Sequence, residues 1–346
     1  MSLKLGIIAR CDNTGLGNQT KELVDMLKPE RVMVINSQSF SKNKQYPNWY
    51  RGYDCHHVRG FPRSQEIESF VKDLDVVLSC ETFYNKDFIS IARRRGVKTV
   101  LQYNYEFLDN LQRPELDLPD VLLSPSYWAL EAITEAFGDK AKVLYLPPPT
   151  SPDLFSEVRS KNVNKDYNKM LHIGGKAAHL DRNGTRSIIE MLEHSTADYK
   201  MVIRTQSQLD LNTKDPRLSI EFDNIENRQD MYSEFDGMIL PRRYAGLCLP
   251  MNEALMSGLP VFMTDISPNN KVLPKEWLAS ATKNSEFKAR TMIDVYEVDP
   301  KELAKVVDDY VNNKNKMDLK LKAFEIAYAN YSVDNLYNKY IDVLTK

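Results

Sequence analysis

Short apolar runs alternate with amphipathic stretches along most of this 346-residue chain. Residues 3–9 form the first run, as expected of a strand buried in a parallel sheet. Behind it the polar glycine loop DNTGLGNQT leads into an amphipathic stretch over 20–27, with Leu23, Met26 and Leu27 on its apolar side. Residues 31–36, 75–80, 97–102 and 121–124 read as further strands, with helical stretches over 86–95 and 129–137. Alternation at this spacing predicts a parallel sheet covered by helices on both faces.

The rhythm is interrupted at LPPPTSPDLF, where prolines remove backbone donors and exclude a helix interior, and the polar run SKNVNKDYNK follows. It then restarts. Residues 169–173 read as a strand, GGKAAHLDRNGT as a glycine-bearing loop and 186–192 as a helix. Strands follow at 201–205, 219–222 and 237–241, then a helix over 250–257 closed by Gly258 and a strand over 260–264. The chain ends in helices over 301–311 and 319–344, the second broken near 330–332. The expected fold class is therefore α/β, with two Rossmann-like parallel-sheet domains facing a central cleft. Residues 1–150 form the first domain and 151–320 the second, with 321–346 as a terminal helix packing back toward the first.

Composition narrows the picture only slightly. With 42% hydrophobic and 27% charged residues the chain is of ordinary globular type, and no apolar run approaches the ~18 residues of a membrane span. MSLKLGIIAR carries too short an apolar stretch for a signal peptide. Cys11, Cys55, Cys80 and Cys248 show neither metal-ligand spacing nor a disulfide framework, which suits a reducing cytoplasm. A net charge of −2 supplies no global attraction to nucleic acid. His56 and His57 are adjacent and read as an ordinary loop pair, so no metal site is expected.

Each half carries a glycine loop between its first strand and first helix, Gly15 and Gly17 in one, Gly174 and Gly175 in the other, where backbone N–H groups can meet an anion. Lys176 follows the second pair directly and Arg182 comes shortly after. Neither loop is a P-loop, because no Gly-Lys-Ser/Thr follows. The most informative segment is 246–265, GLCLPMNEALMSGLPVFMTD. It resembles the nucleotide-sugar signature of retaining GT-B glycosyltransferases of family 4 (group 1), with Gly246, Leu249, Pro250, Glu253, Ala254, Gly258, Pro260 and Val261 in step. SPSYWALEAI, LPPPTSPDLF, MLHIGGKAAHLDRNGTRSIIEML and NYSVDNLYNKYIDVL resemble further pieces of that family in the same order.

The resemblance implies a GT-B fold and transfer of a hexose or pentose from a nucleoside-diphosphate sugar, UDP-linked by preference, with retention and without a metal. It implies that Gly174, Gly175, Gly246, Leu247 and Leu249 line the donor site, that Glu253 accepts from the ribose, and that Lys176 steadies the departing diphosphate; Arg182, next to Asn183, could supply the second cation, since a guanidinium grips phosphate with two donors. Three positions depart from the family pattern. Ala245 stands where a glutamate is usual, Asn183 where a lysine is usual, and Asn104 where a histidine is frequent. A non-catalytic binding module and a sugar-nucleotide epimerase are the alternatives these departures leave open.

Glu81 and Glu106 lie just beyond predicted strand ends, where each could orient an acceptor hydroxyl or simply face solvent. Residues 40–62 read as a long loop rich in aromatic and basic residues and form the candidate acceptor surface. Tyr46, Trp49, Tyr50 and Tyr53 could stack on rings, and Lys42, Lys44, Arg51, Arg59, Arg63 and Arg93–Arg95 could meet phosphates. The acceptor candidates are a glycan, a lipid-linked sugar and a modified DNA base of the hydroxymethylated bacteriophage kind, flipped out of its stack.

Overall fold

The computed structural model describes residues 3–175, 179–208, 214–222, 225–244 and 246–346. The chain forms two compact units: Met1–Pro149 with Ala289–Thr291 and Val333–Lys346, and Thr150–Lys288 with Met292–Ser332. In the first, β1 (Leu5–Arg10), α1 (Gly15–Leu27), β2 (Arg31–Asn36), β3 (Asp54–Arg59), α2 (Ser64–Val71), β4 (Val76–Cys80), α3 (Phe88–Arg94), β5 (Lys98–Gln102), β6 (Val121–Ser124), α4 (Leu130–Phe137) and β7 (Lys142–Tyr145) follow one another. The strands pair in the order β3-β2-β1-β4-β5-β6-β7, and every pairing is parallel.

Period-two geometry explains why these strands read as apolar runs rather than alternating ones. Leu5, Ile7 and Ala9 pack with Leu23 and Val24 of α1 and with Leu336 and Tyr340 of the C-terminal helix. Ile8, on the opposite face, packs in the cluster that holds Phe70 of α2 and Phe88 of α3. Each leucine, isoleucine, valine or phenylalanine among them, fully withdrawn from water, contributes about 1.5–3 kcal/mol. A polar hub holds the layers in register. Gln102 accepts from Gln19 of α1 at 2.6 Å and donates to Leu146 O at 2.7 Å and to the Tyr340 hydroxyl at 2.8 Å.

The second unit contains α5 (Ser156–Val163), β8 (Lys169–Gly175), α6 (Thr185–Leu192), β9 (Lys200–Thr205), β10 (Leu218–Phe222), β11 (Gly237–Leu240), α7 (Leu249–Met256), β12 (Val261–Thr264) and β13 (Leu278–Ala279). Its sheet is again wholly parallel, in the order β10-β9-β8-β11-β12-β13. The antiparallel hairpin β14 (Ala281–Lys288) and β15 (Met292–Val298) follows, then α8 (Pro300–Val311), α9 (Lys316–Tyr331) and α10 (Val333–Thr345). Among the described residues no helix is long and apolar enough to cross a membrane.

Three elements depart from the expected pattern. Residues 40–62 are not one long loop, because β3 runs through them as the edge strand, where only Val58 is buried and no apolar run is needed. The polar run after the prolines is partly helical. In α5, Asn162 donates to Tyr232 O at 2.9 Å and Ser257 O at 3.0 Å, so a buried amide anchors a helix with little apolar signal. The hairpin strand β14 is exposed along most of its length and owes its order to its partner strand.

Lys320 of α9 is fully buried and holds the amino-terminal edge of the second sheet. Its Nζ lies 2.7 Å from Asp236 Oδ1 and donates to Asn162 O at 2.7 Å and Lys165 O at 2.8 Å. Asp236 in turn accepts from the backbone N–H groups of Tyr167 and Lys169. Removing one partner strands the other charge in the interior. Lys320→Met is therefore expected to cost about 3–5 kcal/mol in urea unfolding, and adding Asp236→Asn to recover part of that loss.

Candidate functional site

In the first unit the strand order reverses between β1 and β4, and the loops leaving those two strands part at the carboxyl edge of the sheet. Asp12, buried beyond β1, organises that edge. It pairs with Arg10, accepts from Ser37 Oγ at 2.6 Å and accepts from Thr14 Oγ1 at 2.6 Å. Thr14 caps α1 by accepting from Gly17 N at 3.2 Å. A Cβ on Gly17 would stand 1.8 Å from Asp12 O, so this glycine serves the close approach of helix and loop. Gly15, the first residue of α1, is exposed.

Across the same edge, Glu81 follows β4 with φ 66°, a left-handed conformation that costs a non-glycine residue strain. Burial pushes its carboxyl above the usual range; Arg10 opposes the shift, Glu106 adds to it, and a hydrogen bond from Asn104 opposes it. The structure thus brings Glu81, Glu106, Asn104 and Arg10 into one electrostatic neighbourhood. Beside it the exposed rings of Phe40 and Phe61 lie 5.3 Å apart, with the Arg10 guanidinium 5.7 Å from the Phe40 centroid. Neither phenylalanine nor Asp12 stood out in the sequence, because an exposed aromatic and a loop aspartate carry no periodic signal.

The candidate acceptor surface changes in composition. Tyr50 is fully buried and donates to Arg10 O at 2.6 Å, which removes it from any stacking role. Tyr46 and Trp49 stack on each other at 5.0 Å. Arg63 pairs with Glu66, Arg93 with Asp117, and Arg94 and Arg95 with Glu68, so these four guanidinium groups face carboxylates. His56 and His57 are neighbours on β3 rather than in a loop, and a strand turns consecutive side chains to opposite faces.

The second unit repeats the reversal between β8 and β11. Their pairing ends at Leu171 and Met238, and beyond it His172 takes over the bonding with its side chain. Nδ1 donates to Ile239 O at 2.8 Å, so Nε2 accepts from Thr185 Oγ1 at 2.9 Å. Burial holds the imidazole pKa down to about 4, which keeps the ring neutral. The loops above are laced together. Arg243 N donates to Arg182 O at 2.9 Å, and Gly184 at φ 72° leaves no room for a side chain, because a Cβ would stand 2.1 Å from Pro241 O.

Gly174 and Gly175 close β8, and Lys176 and Ala245 lie outside the described residues. Asn183 Nδ2 donates to Ile173 O at 3.1 Å and Gly174 O at 3.2 Å, so it ties down the glycine loop. The start of α6 is occupied as well: Asp181 accepts from Thr185 N at 3.0 Å and Arg186 N at 2.9 Å. The positive end of that helix is therefore already matched by a carboxylate. Arg182 remains at the loop, its guanidinium 4.9 Å from the centre of the Tyr244 ring. Tyr244 meets Phe287 of the hairpin edge-on at 5.1 Å, and Arg243 pairs with Glu297 at 3.3 Å, so the hairpin braces the loop after β11.

Gly246 and Leu247 precede α7, which Leu249 opens. Glu253 on that helix is 4% exposed, with Oε2 accepting from the Tyr232 hydroxyl at 2.6 Å and Oε1 lying 3.3 Å from Arg228 Nε. Burial pushes its carboxyl above the usual range, opposed by Arg228 and by the Tyr232 hydrogen bond. A carboxylate offers about four lone-pair sites, and two protein partners occupy part of that capacity. Arg228 and Tyr232 were not singled out in the sequence. Among the described residues no group of three His, Cys, Asp or Glu side chains could hold a metal ion.

No known protein-family profile matches the chain, and no curated protein matches it in sequence. Solved structures do match over nearly its whole length. Anabaena HepE in complex with UDP and glucose superposes with a TM-score of 0.66 at 11% identity, covering 99% of this chain and 100% of that one. A glycosyltransferase from Rickettsia africae gives 0.69 at 9% identity, covering 99% and 98%. An α-glucosyltransferase (AGT) in complex with UDP gives 0.61 at 12% identity, covering 100% of both chains. With two parallel-sheet α/β domains and this likeness, the chain has the fold of the GT-B glycosyltransferases.

Proposed function

We propose that this chain is a retaining glycosyltransferase that moves a sugar from a UDP-sugar to a hydroxyl acceptor. The observation that carries the reading is the carboxyl edge of the second unit. There the glycine loop, Arg182 and the loop after β11 converge on one strand reversal, ahead of the helix that carries Glu253, in a fold whose solved examples include UDP complexes. In this reading residues 151–320 hold the donor and residues 1–150 hold the acceptor. Glu253 accepts from the ribose. Lys176, Arg182 and loop N–H groups meet the diphosphate, with Gly174, Gly175, Gly246, Leu247 and Leu249 shaping the approach.

The reaction is a substitution at the anomeric carbon. The bond from that carbon to the β-phosphate oxygen breaks, and the positive charge passes to an oxocarbenium-like sugar. The acceptor oxygen then bonds on the face the diphosphate leaves, and its proton goes to the departing phosphate. Fixed positive charge at the diphosphate lowers the barrier because it is in place before the charge develops. Glu81 and Glu106 orient the acceptor hydroxyl. The Phe40–Phe61 pair beside them suits a ring-bearing acceptor, a glycan or a modified DNA base. Free cysteines among the described residues suit a reducing compartment, the cytoplasm.

One observation favours a second reading, a nucleotide-sugar-binding module without catalysis. Asn183 spends its amide on the Ile173 and Gly174 carbonyls rather than offering a cation. Slow hydrolysis of the donor in the absence of acceptor separates the two. An epimerised free sugar would instead identify an epimerase.

UDP at 100 times its dissociation constant is expected to stabilise the protein by about 2.7 kcal/mol, visible as a raised melting temperature. Glu253→Gln keeps the shape of the buried cluster and should weaken UDP about 10- to 100-fold, the worth of a charged hydrogen bond. Unchanged UDP affinity in this variant would remove Glu253 from the site.

Glu81 provides a pH test. Its folded pKa lies above the ordinary carboxylate value, so the stability linked to its protonated form is present below the unfolded pKa and lost as pH rises through the folded one. Transfer needs the ionised form and should decline on acidification through that raised pKa. Glu81→Gln is expected to lose this acid limb and about 10- to 100-fold in kcat/KM, with UDP affinity intact and no fall in melting temperature at neutral pH. A variant with the wild-type pH profile would rule Glu81 out.

A further inference from the structure

Arg242 is the anomaly in the charge pattern of the second unit. It follows β11 at the strand reversal and is 5% exposed. An arginine cannot shed its proton, and a buried charge is costly unless it is paired. Among the described residues most of the unit's other withdrawn cations obey that rule, while Lys169 and Arg182 lie over the Phe235 and Tyr244 rings. Lys320 meets Asp236 at 2.7 Å, Arg228 meets Glu253 at 3.3 Å, and Arg243 meets Glu297 at 3.3 Å. Arg204 meets Glu221 at 2.8 Å and Arg217 meets Asp215 at 2.8 Å. Arg159, half-buried, lies on the Phe324 ring at 4.0 Å.

Arg242 has no such partner. Among the described residues no carboxylate pairs with it, and its side chain makes one hydrogen bond, Nη1 to the neutral Leu247 O at 3.2 Å. Its Nε is buried without an acceptor. The bond to Leu247 fixes one end of the guanidinium, and the Nε–Nη2 edge is left over. In Arg217 that same edge meets the Asp215 carboxylate with two hydrogen bonds. Two further buried donors lack partners near the same strand ends: Asn252 Nδ2, in the first two turns of α7, and Thr264 Oγ1, the last residue of β12. Donors without acceptors, one of them permanently charged, thus occur after β11, on α7 and at the end of β12.

We propose that Arg242 is the principal anion receptor of the second unit and takes the diphosphate of the donor with its Nε–Nη2 edge. The inference rests on the donor-site reading for the identity of the ligand, and on the unpaired guanidinium for the existence of the anion site. Two parallel N–H donors match two phosphate oxygens, a geometry that a lysine cannot reproduce. The role that Asn183 does not fill is then taken by a residue from the other side of the strand reversal. Holding the charge in advance costs stability in the free protein and is repaid when the anion binds.

The test compares the wild type with Arg242→Met and Arg242→Lys, using UDP, uridine and inorganic pyrophosphate as probes in calorimetry and thermal unfolding. Arg242→Met should melt no lower than the wild type without ligand, because it removes an uncompensated buried charge. It should lose about 10- to 100-fold in UDP affinity while uridine binding is unchanged, and Arg242→Lys should fall between. UDP bound equally by wild type and Arg242→Met would overturn the role of Arg242 and leave the donor reading standing. Equal losses for UDP and uridine would also overturn it, since the residue would then shape the site rather than hold charge. Protection of the wild type by pyrophosphate, abolished in Arg242→Met, with UDP inert, would keep the anion site and sink the nucleotide reading. No response to either anion would overturn both.

Discussion

When strand order reverses inside a parallel sheet, the segments that follow the two central strands leave in different directions, and the loops between them must part. Both sheets are built around such a reversal, at β1/β4 in the first unit and at β8/β11 in the second. In the first unit the divergence is plain, since α1 packs on one face and α3 on the other. Almost every feature with chemical content lies at these two places. Backbone groups freed from the ladder there must find other partners, and side chains can supply them. His172 shows the principle directly: where β8 and β11 stop pairing, its ring reaches the next carbonyl of the neighbouring strand.

The two reversals handle charge differently. In the first unit the buried Asp12 gathers Arg10, Ser37 and Thr14, so the loop after β1 is self-satisfied and the residual electrostatic stress falls on Glu81. In the second unit Asp181 neutralises the start of α6 and Asn183 secures the glycine loop. Positive charge is displaced from the helix end to Arg182 and Arg242. A glycine loop ahead of a helix is therefore not by itself an anion site. What matters is whether the first-turn N–H groups are still unoccupied once the chain has folded.

Rigid polar anchors hold these edges in place. Gln102 links α1, β5, the end of β7 and α10 through one amide, and Asn162 and Lys320 do comparable work around Asp236 in the second unit. Each is buried with its hydrogen bonds made, which is the condition under which a polar group in a core rigidifies rather than weakens it. The loops above can then carry strained or unpaired groups, such as Glu81 at positive φ and Arg242 without a carboxylate among the described residues, because the sheets beneath are over-determined.

The apolar runs over 31–36 and 121–124 were legible in the sequence to the residue, and those at 76–80, 98–102 and 200–205 to within one or two, because strands buried on both faces must be continuously apolar. The repeat of the α/β rhythm after LPPPTSPDLF was legible for the same reason, being local. β3, α5 and the β14–β15 hairpin were not, since an edge strand, a helix held by one buried asparagine and an exposed hairpin carry no apolar period. Charge pairing was equally hidden. That Glu253 faces Arg228 and Tyr232, that Arg93–Arg95 face carboxylates, and that Arg242 faces none among the described residues depends on residues brought together from distant parts of the chain. The sequence by itself determined which segments must be buried, a matter of local composition and period. Only the tertiary structure decided which buried charges are already satisfied, because Coulomb and hydrogen-bond energies depend on distances in space that sequence separation does not contain.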